Sequence, residues 1–395
     1  MQSEVHSLTV AKLPRSVTIS VWNGFHSPQL VAGLSHAGIQ VTYHTTARQS
    51  VNCNIFARNL SGAFFDALAR RGLFPRSIAH AWSRIFVDQK ALCLARKSDA
   101  FWGWSGCSLR GLRAASRAGK PAILERGSTH CVWQSERVVR EHRRLGLSTQ
   151  GLSNPAEITY DLAEYEAADV ICVPSRFVLK TFLEKGVPRE KIFLNPYGVD
   201  FDFWSATSNR RHEGGPFTFL WAATLMPRKG IAVLLEAWRM AALRDARLHL
   251  VGSIEPCLRS YLRTLPAGVT LTPFMDHKRL REEMGRSHVY VLPSLEEGMA
   301  RSVLEAAAAG LPVLITEETG ATDILAHGRD AWVVPGGNHE ALAETLIQIY
   351  RNPEEVARRG TSAQTSVYPY TWDAYGARAS AMLDQRLLTG EKLQG

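Results

Sequence analysis

Residues 292–316, LPSLEEGMARSVLEAAAAGLPVLIT, decide the fold class of this chain. An apolar strand end leads into a short polar turn, and a helix is predicted from about Met299 to Ala309. The helix closes on four consecutive alanines, the best helix formers, whose small side chains let it lie close to a sheet. Gly310 and Pro312 then stop the helix, and an apolar run begins the next strand. The order strand, tight turn, helix, strand predicts a parallel βαβ crossover.

Two carboxylates are set into this unit, Glu297 in the turn and Glu305 in the helix. The turn glycine, Gly298, would let a ligand approach the backbone. Free N–H groups at the helix start would form an anion site, and they belong to Met299, Ala300 and Arg301. Such a site suits a phosphorylated sugar, because N–H groups bind phosphate and carboxylates bind hydroxyls. The alternative interpretation is a solvated acidic turn followed by an exposed glutamate on a helix.

The length of 395 residues predicts about two domains. Strands and helices alternate through the second half, which predicts a doubly wound parallel sheet. The first half opens with a Rossmann-like strand, a turn at Gly24 and a helix. No apolar run reaches the ~18 residues of a membrane span, and the first sixteen residues lack the core of a secretory signal. The six cysteines are scattered without a C-x-x-C pair, which indicates reduced thiols in the cytoplasm and neither a disulfide frame nor a zinc site.

The excess of positive charge lies entirely in the first half of the chain. Residues 1–200 hold 25 Lys and Arg against 15 Asp and Glu, whereas residues 201–395 hold 21 against 22. Two clusters stand out, one of Arg110, Arg113, Arg117 and Lys120 on one predicted helix face, the other of Arg137, Arg140, Arg143 and Arg144. They are either solvated helix faces or contacts for anionic lipid head groups. Nucleic-acid binding is poorly supported, because no aromatic residues are interleaved with these cations.

Two further stretches follow predicted strands and could carry chemistry. Arg228 and Lys229 precede Gly230 at a helix start, where two cations and the helix dipole can hold a diphosphate. A plain surface pair of cations is the alternative there. His130 ends the loop Glu125-Arg-Gly-Ser-Thr-His, in a strand-exit position where α/β proteins bind ligands. A lone histidine is more often structural or merely exposed.

Taken together, PS-x-x-EG, EA-x-A-x-G-x-PV and Arg228-Lys229-Gly230 resemble the signature of the retaining glycosyltransferases of family 4, the group 1 glycosyltransferases. The phrases AADVICVPSRFV and NPYGVD resemble the end of that family's first domain. The resemblance implies the α/β GT-B fold, in which two Rossmann-like, doubly wound parallel-sheet domains face an interdomain cleft. It divides the chain into an acceptor domain (1–200), a nucleotide-sugar domain (201–370) and a C-terminal helix (371–395) that packs back on the first domain.

The resemblance also implies roles for single residues. Lys229, with Arg228, would stabilise the leaving diphosphate, Glu297 would contact the donor sugar, and His130 would contact a sugar hydroxyl through a neutral ring nitrogen. Glu305 would accept hydrogen bonds from the ribose. The expected catalytic residues are His130, Glu297 and Lys229, and the expected donor contacts are Gly24, Arg228, Lys229, Gly298, Met299, Ala300, Arg301 and Glu305. The chain departs from the family at Thr224, which stands where an arginine is usual, and at Ala300 in the turn.

The implied function is retaining, metal-independent transfer of a sugar from a nucleoside-diphosphate sugar, a substrate and not a resident cofactor. The acceptor would be a glycan or a lipid-linked sugar in cell-envelope polysaccharide or lipid-linked glycan synthesis. The enzyme would be cytoplasmic and peripheral at the inner face of an anionic membrane, with no nucleic-acid partner. Two alternatives stay open: an inactive GT-B scaffold that binds a partner or an anionic polymer, and a GT-B sugar-nucleotide epimerase.

Overall fold

A computed structural model describes residues 16–48, 51–207 and 215–389. Its first half contains a seven-stranded sheet in the order β3-β2-β1-β4-β5-β6-β7 with all neighbours parallel. The strands are β1 (Ser16–Val21), β2 (Gln40–Thr45), β3 (Ile55–Arg58), β4 (Ala100–Trp104), β5 (Ala122–Glu125), β6 (Val170–Val173) and β7 (Ile192–Leu194). The central strands are buried throughout, as expected for a parallel sheet covered on both faces.

The second half contains a six-stranded parallel sheet in the order β10-β9-β8-β11-β12-β13. Its strands are β8 (Phe217–Ala222), β9 (Ala246–Val251), β10 (Val269–Thr272), β11 (Val289–Leu292), β12 (Val313–Thr316) and β13 (Ala331–Val334). Both sheets reverse their strand order beside the first strand, at the β1/β4 and the β8/β11 pairs. Ligands of open α/β sheets bind outside the carboxyl ends of strands at such points.

Helices cover both sheets. The first half has α1 (Ser27–His36), α2 (Leu60–Arg70), α3 (Arg76–Ala95), α4 (Leu109–Arg117), α5 (Cys131–Arg144), α6 (Pro155–Ala167), α7 (Arg176–Glu184) and α8 (Phe201–Ser205). The second half has α9 (Ile231–Ala241), α10 (His277–Arg286), α11 (Arg301–Ala308), α12 (His339–Arg351), α13 (Pro353–Val367) and α14 (Trp372–Thr389). α14 returns to the first half and packs on α1, where a Cβ on Gly33 would lie 2.4 Å from the Cα of Gly376.

The fold class predicted from the sequence is confirmed, and so is the βαβ crossover at 292–316. β11 and β12 are parallel neighbours joined by α11, whose residues Ala306, Ala307 and Ala308 are fully buried. Side chains this small allow the helix to pack closely on the sheet. The helix is shorter than expected at both ends, since it begins at Arg301 and ends at Ala308.

The structure differs from the sequence pattern in three places. Where the alternation of strands and helices predicts a helix between β9 and β10, the chain forms two short 3₁₀ turns, Pro256–Leu258 and Tyr261–Arg263, in a stretch that prolines begin and end. Lys120 lies beyond the end of α4, and its Nζ donates to the carbonyl oxygens of Arg96 and Ser98. The edge strand β3 was not expected, because most of its residues are exposed and give no buried pattern.

The expectation that the N-terminus lacks a secretory signal concerns residues that lie almost wholly outside the described part of the chain, which begins at residue 16. Within the described ranges, no helix combines the length and the apolar character that a membrane span requires.

Candidate functional site

The loops that follow β8 and β11 are held together at the carboxyl edge of the second sheet. The N–H of Leu295 donates to the carbonyl oxygen of Arg228 at 2.7 Å. Gly230 has a φ of 78°, and a Cβ at this position would lie 1.9 Å from the carbonyl oxygen of Pro293. Only glycine fits this close approach, so Gly230 lets the loop of Arg228 and Lys229 lie directly against the acidic turn.

Two cations and two carboxylates meet in these loops. Lys229 Nζ bonds to Glu297 Oε1, and Arg228 Nη1 lies 3.2 Å from both Glu297 Oε1 and Glu296 Oε2. Arg228 Nη1 also donates to the carbonyl oxygen of Glu296 at 2.8 Å. The formal charges of the four side chains balance. The cations expected to hold a diphosphate are therefore paired with carboxylates of their own domain.

Glu296 joins the two halves of the molecule, and sequence reasoning missed it. Its side chain is fully buried. Oε1 accepts hydrogen bonds from Ser128 Oγ at 2.7 Å and from Thr129 Oγ1 and N at 2.9 and 3.2 Å, while Oε2 accepts one from Gln134 Nε2 at 3.2 Å. Burial would raise the pKa of Glu296, but Arg228 and these hydrogen bonds outweigh it and lower the pKa. Glu296 is thus buried and ionised, and its hydrogen bonds link the two halves of the molecule. We call this contact the clasp.

Arg126 fixes the first-half loop that receives Glu296. Its guanidinium donates to the carbonyl oxygen of Thr129 at 2.9 Å, to Gln134 Oε1 at 2.9 Å and to Asp161 Oδ2 at 3.1 Å. Arg126 is only 8% exposed. Arg126 therefore holds Thr129 and Gln134 in the positions from which they contact Glu296.

Gly298 lies against the first half of the chain. A Cβ at this position would lie 2.0 Å from the carbonyl oxygen of Gly127, and the carbonyl oxygen of Gly298 accepts from Ser175 Oγ at 2.6 Å. The sequence pattern predicts that a ligand makes the close approach at this glycine. The structure gives it to the backbone of the facing domain, so the two halves touch at the turn itself.

The predicted anion site at the start of α11 is wrong at one of its three donors. Ala300 has a φ of −70°, but its N–H donates to the carbonyl oxygen of Thr319 at 2.9 Å and is not free for an anion. Met299 is 4% exposed. The guanidinium of Arg301 stacks over the ring of Trp372 at 5.6 Å. The donor-contact roles of Met299 and Arg301 stay predictions.

Glu305 lies one turn into α11, with 12% of its side chain exposed. Burial raises its pKa, while the charges of Arg301 and His277 act in the opposite direction. The phenol of Tyr290 contacts Ser302 Oγ at 2.7 Å. Burial raises the pKa of Tyr290, and the charges of Glu305 and Glu297 act in the same direction. The two glutamates singled out by their spacing therefore lie near one buried tyrosine, and both keep an accessible edge.

The structure does not bring His130 into this cluster. It is 3% exposed, its ring packs between Tyr165 and Phe182 with centroids 5.1 Å away, and its Nδ1 accepts from the N–H of Val132. Burial, with the charges of Arg126 and Lys185, lowers the pKa of His130 to about 4. The ring is therefore neutral at neutral pH, as the implied role requires, but the groups of this loop that contact the second half are those of Gly127, Ser128 and Thr129. The catalytic role of His130 stays a prediction.

Gly24 also lies apart from the acidic turn. It lines a cavity of about 550 Å³ at the carboxyl ends of the first strands, together with Arg48, Arg58 and Arg70. Asn23, with a φ of 65°, and Phe25, with a φ of 43°, flank the glycine in a conformation that is unusual for residues with a Cβ. The expected donor contact at Gly24 stays a prediction.

Comparison with known proteins identifies the second half. Residues 216–352 match the family model described as Glycosyl transferases group 1. These residues form a group 1 glycosyltransferase domain. The domain contains β8 to β13, the cations at 228–229 and both glutamates of the signature. The resemblance to the group 1 glycosyltransferases, inferred from those motifs, is confirmed.

Relatives of this glycosyltransferase domain are distant. The amylovoran biosynthesis glycosyltransferase AmsK of Erwinia amylovora is 26% identical over 206 residues, which are 49% of this chain and 50% of the relative. The chain thus spans about half the length of the curated relatives it matches. The sucrose-phosphate synthase of Thermosynechococcus elongatus superposes with a TM-score of 0.69 at 18% identity, covering 95% of this chain and 100% of that one. HepE of Anabaena, crystallised with UDP and glucose, gives 0.66 at 15% identity, covering 94% and 100%. These likenesses show the fold.

Proposed function

We propose that the protein transfers a glycosyl group from a nucleoside-diphosphate sugar to an acceptor hydroxyl, with retention, in the synthesis of a polysaccharide or glycolipid. The observation that carries this proposal is the pairing of Lys229 and Arg228 with Glu297 at the β8/β11 switch point. Two cations beside a helix start suit a diphosphate, and an adjacent carboxylate suits the sugar. The names of the relatives support the same class of reaction.

Donor binding would exchange partners in this cluster. The diphosphate brings more negative charge to Lys229 and Arg228 than the single carboxylate of Glu297 provides, and it can accept from both cations at once. Glu297 would then turn from Lys229 toward the hydroxyls of the donor sugar. Glu305, farther along α11, would accept hydrogen bonds from the ribose. The usual arginine is replaced by Thr224, so we assign its phosphate contact to Arg228.

In the proposed step the bond between the anomeric carbon and the diphosphate oxygen breaks, and a bond from the acceptor oxygen to that carbon forms on the same face. The acceptor proton passes to the departing diphosphate oxygen. Lys229 and the N-terminal dipole of α9 would stabilise the charge that develops on the leaving group, without a divalent metal or other cofactor. Glu297 would stabilise the positive charge that develops at the anomeric carbon.

The acceptor would bind at the carboxyl edge of the first sheet, as a glycan or a lipid-linked sugar. The cavity beside Gly24 lies at this edge, and its three arginines outnumber its single carboxylate, Asp66, which suits an anionic acceptor. Contact with an anionic membrane from the cytoplasmic side is part of the proposal, because the excess positive charge lies in the first half of the chain.

The test is release of nucleoside diphosphate from UDP-, GDP- and ADP-sugars. Without an acceptor, we expect slow hydrolysis of one donor by the wild type and none by Glu305→Ala. Glu344→Ala, at an exposed glutamate of α12, serves as the matched control and should hydrolyse that donor like the wild type. Absence of release from every donor, or equal release by Glu305→Ala, would contradict the proposal.

A further inference from the structure

The hairpin of α2 and α3 projects beyond the carboxyl edge of the first sheet. Asn59, which directly follows β3, donates through its side chain to the carbonyl oxygen of Phe86 at 2.9 Å. Residue 86 of α3 is therefore level with the end of β3. Six residues earlier in α3, the ring of His80 packs on that of Trp22, which directly follows β1, with the centroids 5.0 Å apart. The first half of α3 therefore lies at and beyond this edge. This projection lies on the side of the sheet where the two domains meet.

An apolar row runs along the projecting part of α3. Ile78, Trp82 and Ile85 follow one another at helical spacing, and they are 46%, 45% and 43% exposed. The ring of Trp82 stacks on Phe65 at 6.1 Å, so the tryptophan is held in place with its outer side open. Phe64 of the neighbouring α2 is 60% exposed. Contiguous exposed apolar side chains of this size mark an interaction site.

Arginines continue the same surface along α4. Arg110, Arg113 and Arg117 line a cavity of about 420 Å³ between α3 and α4, which also includes Arg96. An adjoining cavity of about 480 Å³ shares Arg110 and Arg113 and reaches Ile85. The apolar row and the arginines therefore form one continuous surface. We call this the α3–α4 face, made of Ile78, Trp82, Ile85, Arg110, Arg113 and Arg117.

The carboxylates near this face are already satisfied. Asp88 accepts from the N–H of Arg110 and from the phenol of Tyr160, both at 2.7 Å. Glu157 is paired with Arg84. None of the described residues that line the 420 Å³ cavity is acidic. The guanidinium of Arg110 also lies 3.8 Å from Asp88 Oδ2, so its charge is partly compensated. The positive charge of Arg113 and Arg117 is therefore available to an external anion.

The other basic cluster, on α5, is used differently. Arg137 pairs with Glu318 at 3.0 Å, and Arg144 pairs with Glu236 at 3.3 Å, so both arginines contact the second half of the chain. Arg144 also pairs with Glu141 of its own helix at 2.8 Å. The α5 cluster therefore contributes to the contact between the two halves, and only the α4 cluster remains beside an exposed apolar row.

We propose that the α3–α4 face docks the protein on an anionic lipid surface. Tryptophan and isoleucine would enter the boundary between head groups and acyl chains, while the arginines of α4 would contact lipid phosphates. A second copy of the chain suits this face poorly, because a symmetric contact would bring two sets of arginines together. This inference rests on the proposed function, of which membrane contact is a part, and it assigns that contact to one face, which would hold the cleft near an acceptor anchored in lipid.

The experiment is flotation of the full-length protein, without nucleotide, with vesicles of phosphatidylcholine alone or mixed with phosphatidylglycerol. We expect binding to the mixed vesicles only, and release as salt shortens the screening length. The triple variant Arg110→Glu, Arg113→Glu, Arg117→Glu should bind the mixed vesicles at least about 100-fold more weakly. Trp82→Ser should weaken binding roughly tenfold, because it removes an apolar side chain that would enter the membrane.

The matched control is Arg140→Glu with Arg143→Glu, at two exposed arginines of α5, which should float like the wild type. Thermal melting of each variant verifies that it is folded. Wild-type binding that ignores phosphatidylglycerol, absence of binding, or equal losses in the α4 and α5 variants would overturn the proposal. Retention on poly-aspartate without flotation would replace the lipid by an acidic polypeptide. Because donor hydrolysis is measured in solution, failure of the glycosyltransferase proposal would be seen separately.

Discussion

The two sides of the cleft differ in how their polar groups are held. In the first-domain loop 125–130, Glu125, Arg126, Thr129 and His130 are all at most 8% exposed. Glu125, for example, accepts from Trp102 Nε1 and from the phenol of Tyr375, each at 3.1 Å. In the second domain, the side chains of Lys229 and Glu297 keep 14% and 12% exposure. Buried, bonded groups set a geometry, whereas accessible ion pairs can exchange partners with a ligand.

The buried groups on the first side of the cleft therefore maintain the structure, whereas the partly exposed groups on the second side can bind a ligand and act on it. A substitution in the loop should therefore change stability, and one in the accessible cluster should change binding and turnover. Glu296 is the exception, because it lies in the second domain but accepts hydrogen bonds from Ser128 and Thr129 of the first.

The largest effect is expected at Lys229. Lys229→Ala should lower the kcat of sugar-nucleotide turnover at least about 100-fold, because it removes the main cation on the leaving diphosphate. Steady-state kinetics with the donor identified by hydrolysis would measure this. Lys185→Ala, at a lysine that pairs with Glu136 on α5, is the control and should be nearly silent. A small effect at Lys229 would remove the chemical role of the accessible cluster.

Substitution of Glu305 should weaken binding of the ribose without changing binding of the phosphates. Glu305→Gln should weaken binding of the nucleoside diphosphate by roughly 10- to 100-fold, because a hydrogen bond to a charged acceptor is lost. Binding of inorganic pyrophosphate should not change, whereas Lys229→Ala should weaken both ligands. Calorimetric titration of the four combinations would check this. Loss of pyrophosphate binding in Glu305→Gln would contradict the assignment to the ribose.

The adjacent glutamates should show opposite behaviour. Glu296→Gln should destabilise the protein by about 2–3 kcal/mol, because it places an amide against the donors of Ser128 and Thr129 and leaves Arg228 less compensated. Glu297→Gln should cost less than about 1 kcal/mol but should reduce turnover strongly. Urea denaturation together with kcat measures both. Equal losses in the free energy of unfolding would show that Glu296 contributes no more to stability than Glu297 does.

The effect that is smallest near neutral pH is a pH dependence from His130. Its pKa is about 4 in the folded protein and ~6.5 when unfolded, so the unfolded chain binds more protons between these values. Stability should therefore be complete above about pH 7 and fall progressively as the pH drops, by up to about 3 kcal/mol near pH 4. His130→Asn, which can still cap α5, should lack this component. An identical pH profile in the variant would show that the ring is not held neutral by the fold.

Much of the fold could be predicted because the deciding information is local. The run of alanines before Gly310, and the alternation of strands and helices, specify parallel βαβ units whatever their surroundings. The cations at 228–229 and the glutamates 297 and 305 could be found for the same reason, since each lies in a short signature at a strand end.

The remainder depends on contacts between distant parts of the chain. The clasp at Glu296 joins residues 167 positions apart, and no local pattern distinguishes Glu296 from Glu297. The loss of Ala300 as an anion donor depends on Thr319, and the use of the α5 arginines depends on Glu236 and Glu318. The sequence shows which residues are cationic, but the fold determines which of these cations are paired with carboxylates and which can bind an external anion.

The most direct test of the central claim is a thermal-shift panel of UDP, GDP, ADP and their sugar conjugates on the wild type and on Lys229→Ala. A ligand that binds only the folded state raises the melting temperature by mass action. We predict that one nucleotide series stabilises the wild type and that this shift is lost in Lys229→Ala. If no nucleotide stabilises the wild type, or if the variant responds equally, the second domain does not hold a donor diphosphate at Lys229. The inactive scaffold would then be the better account of this chain.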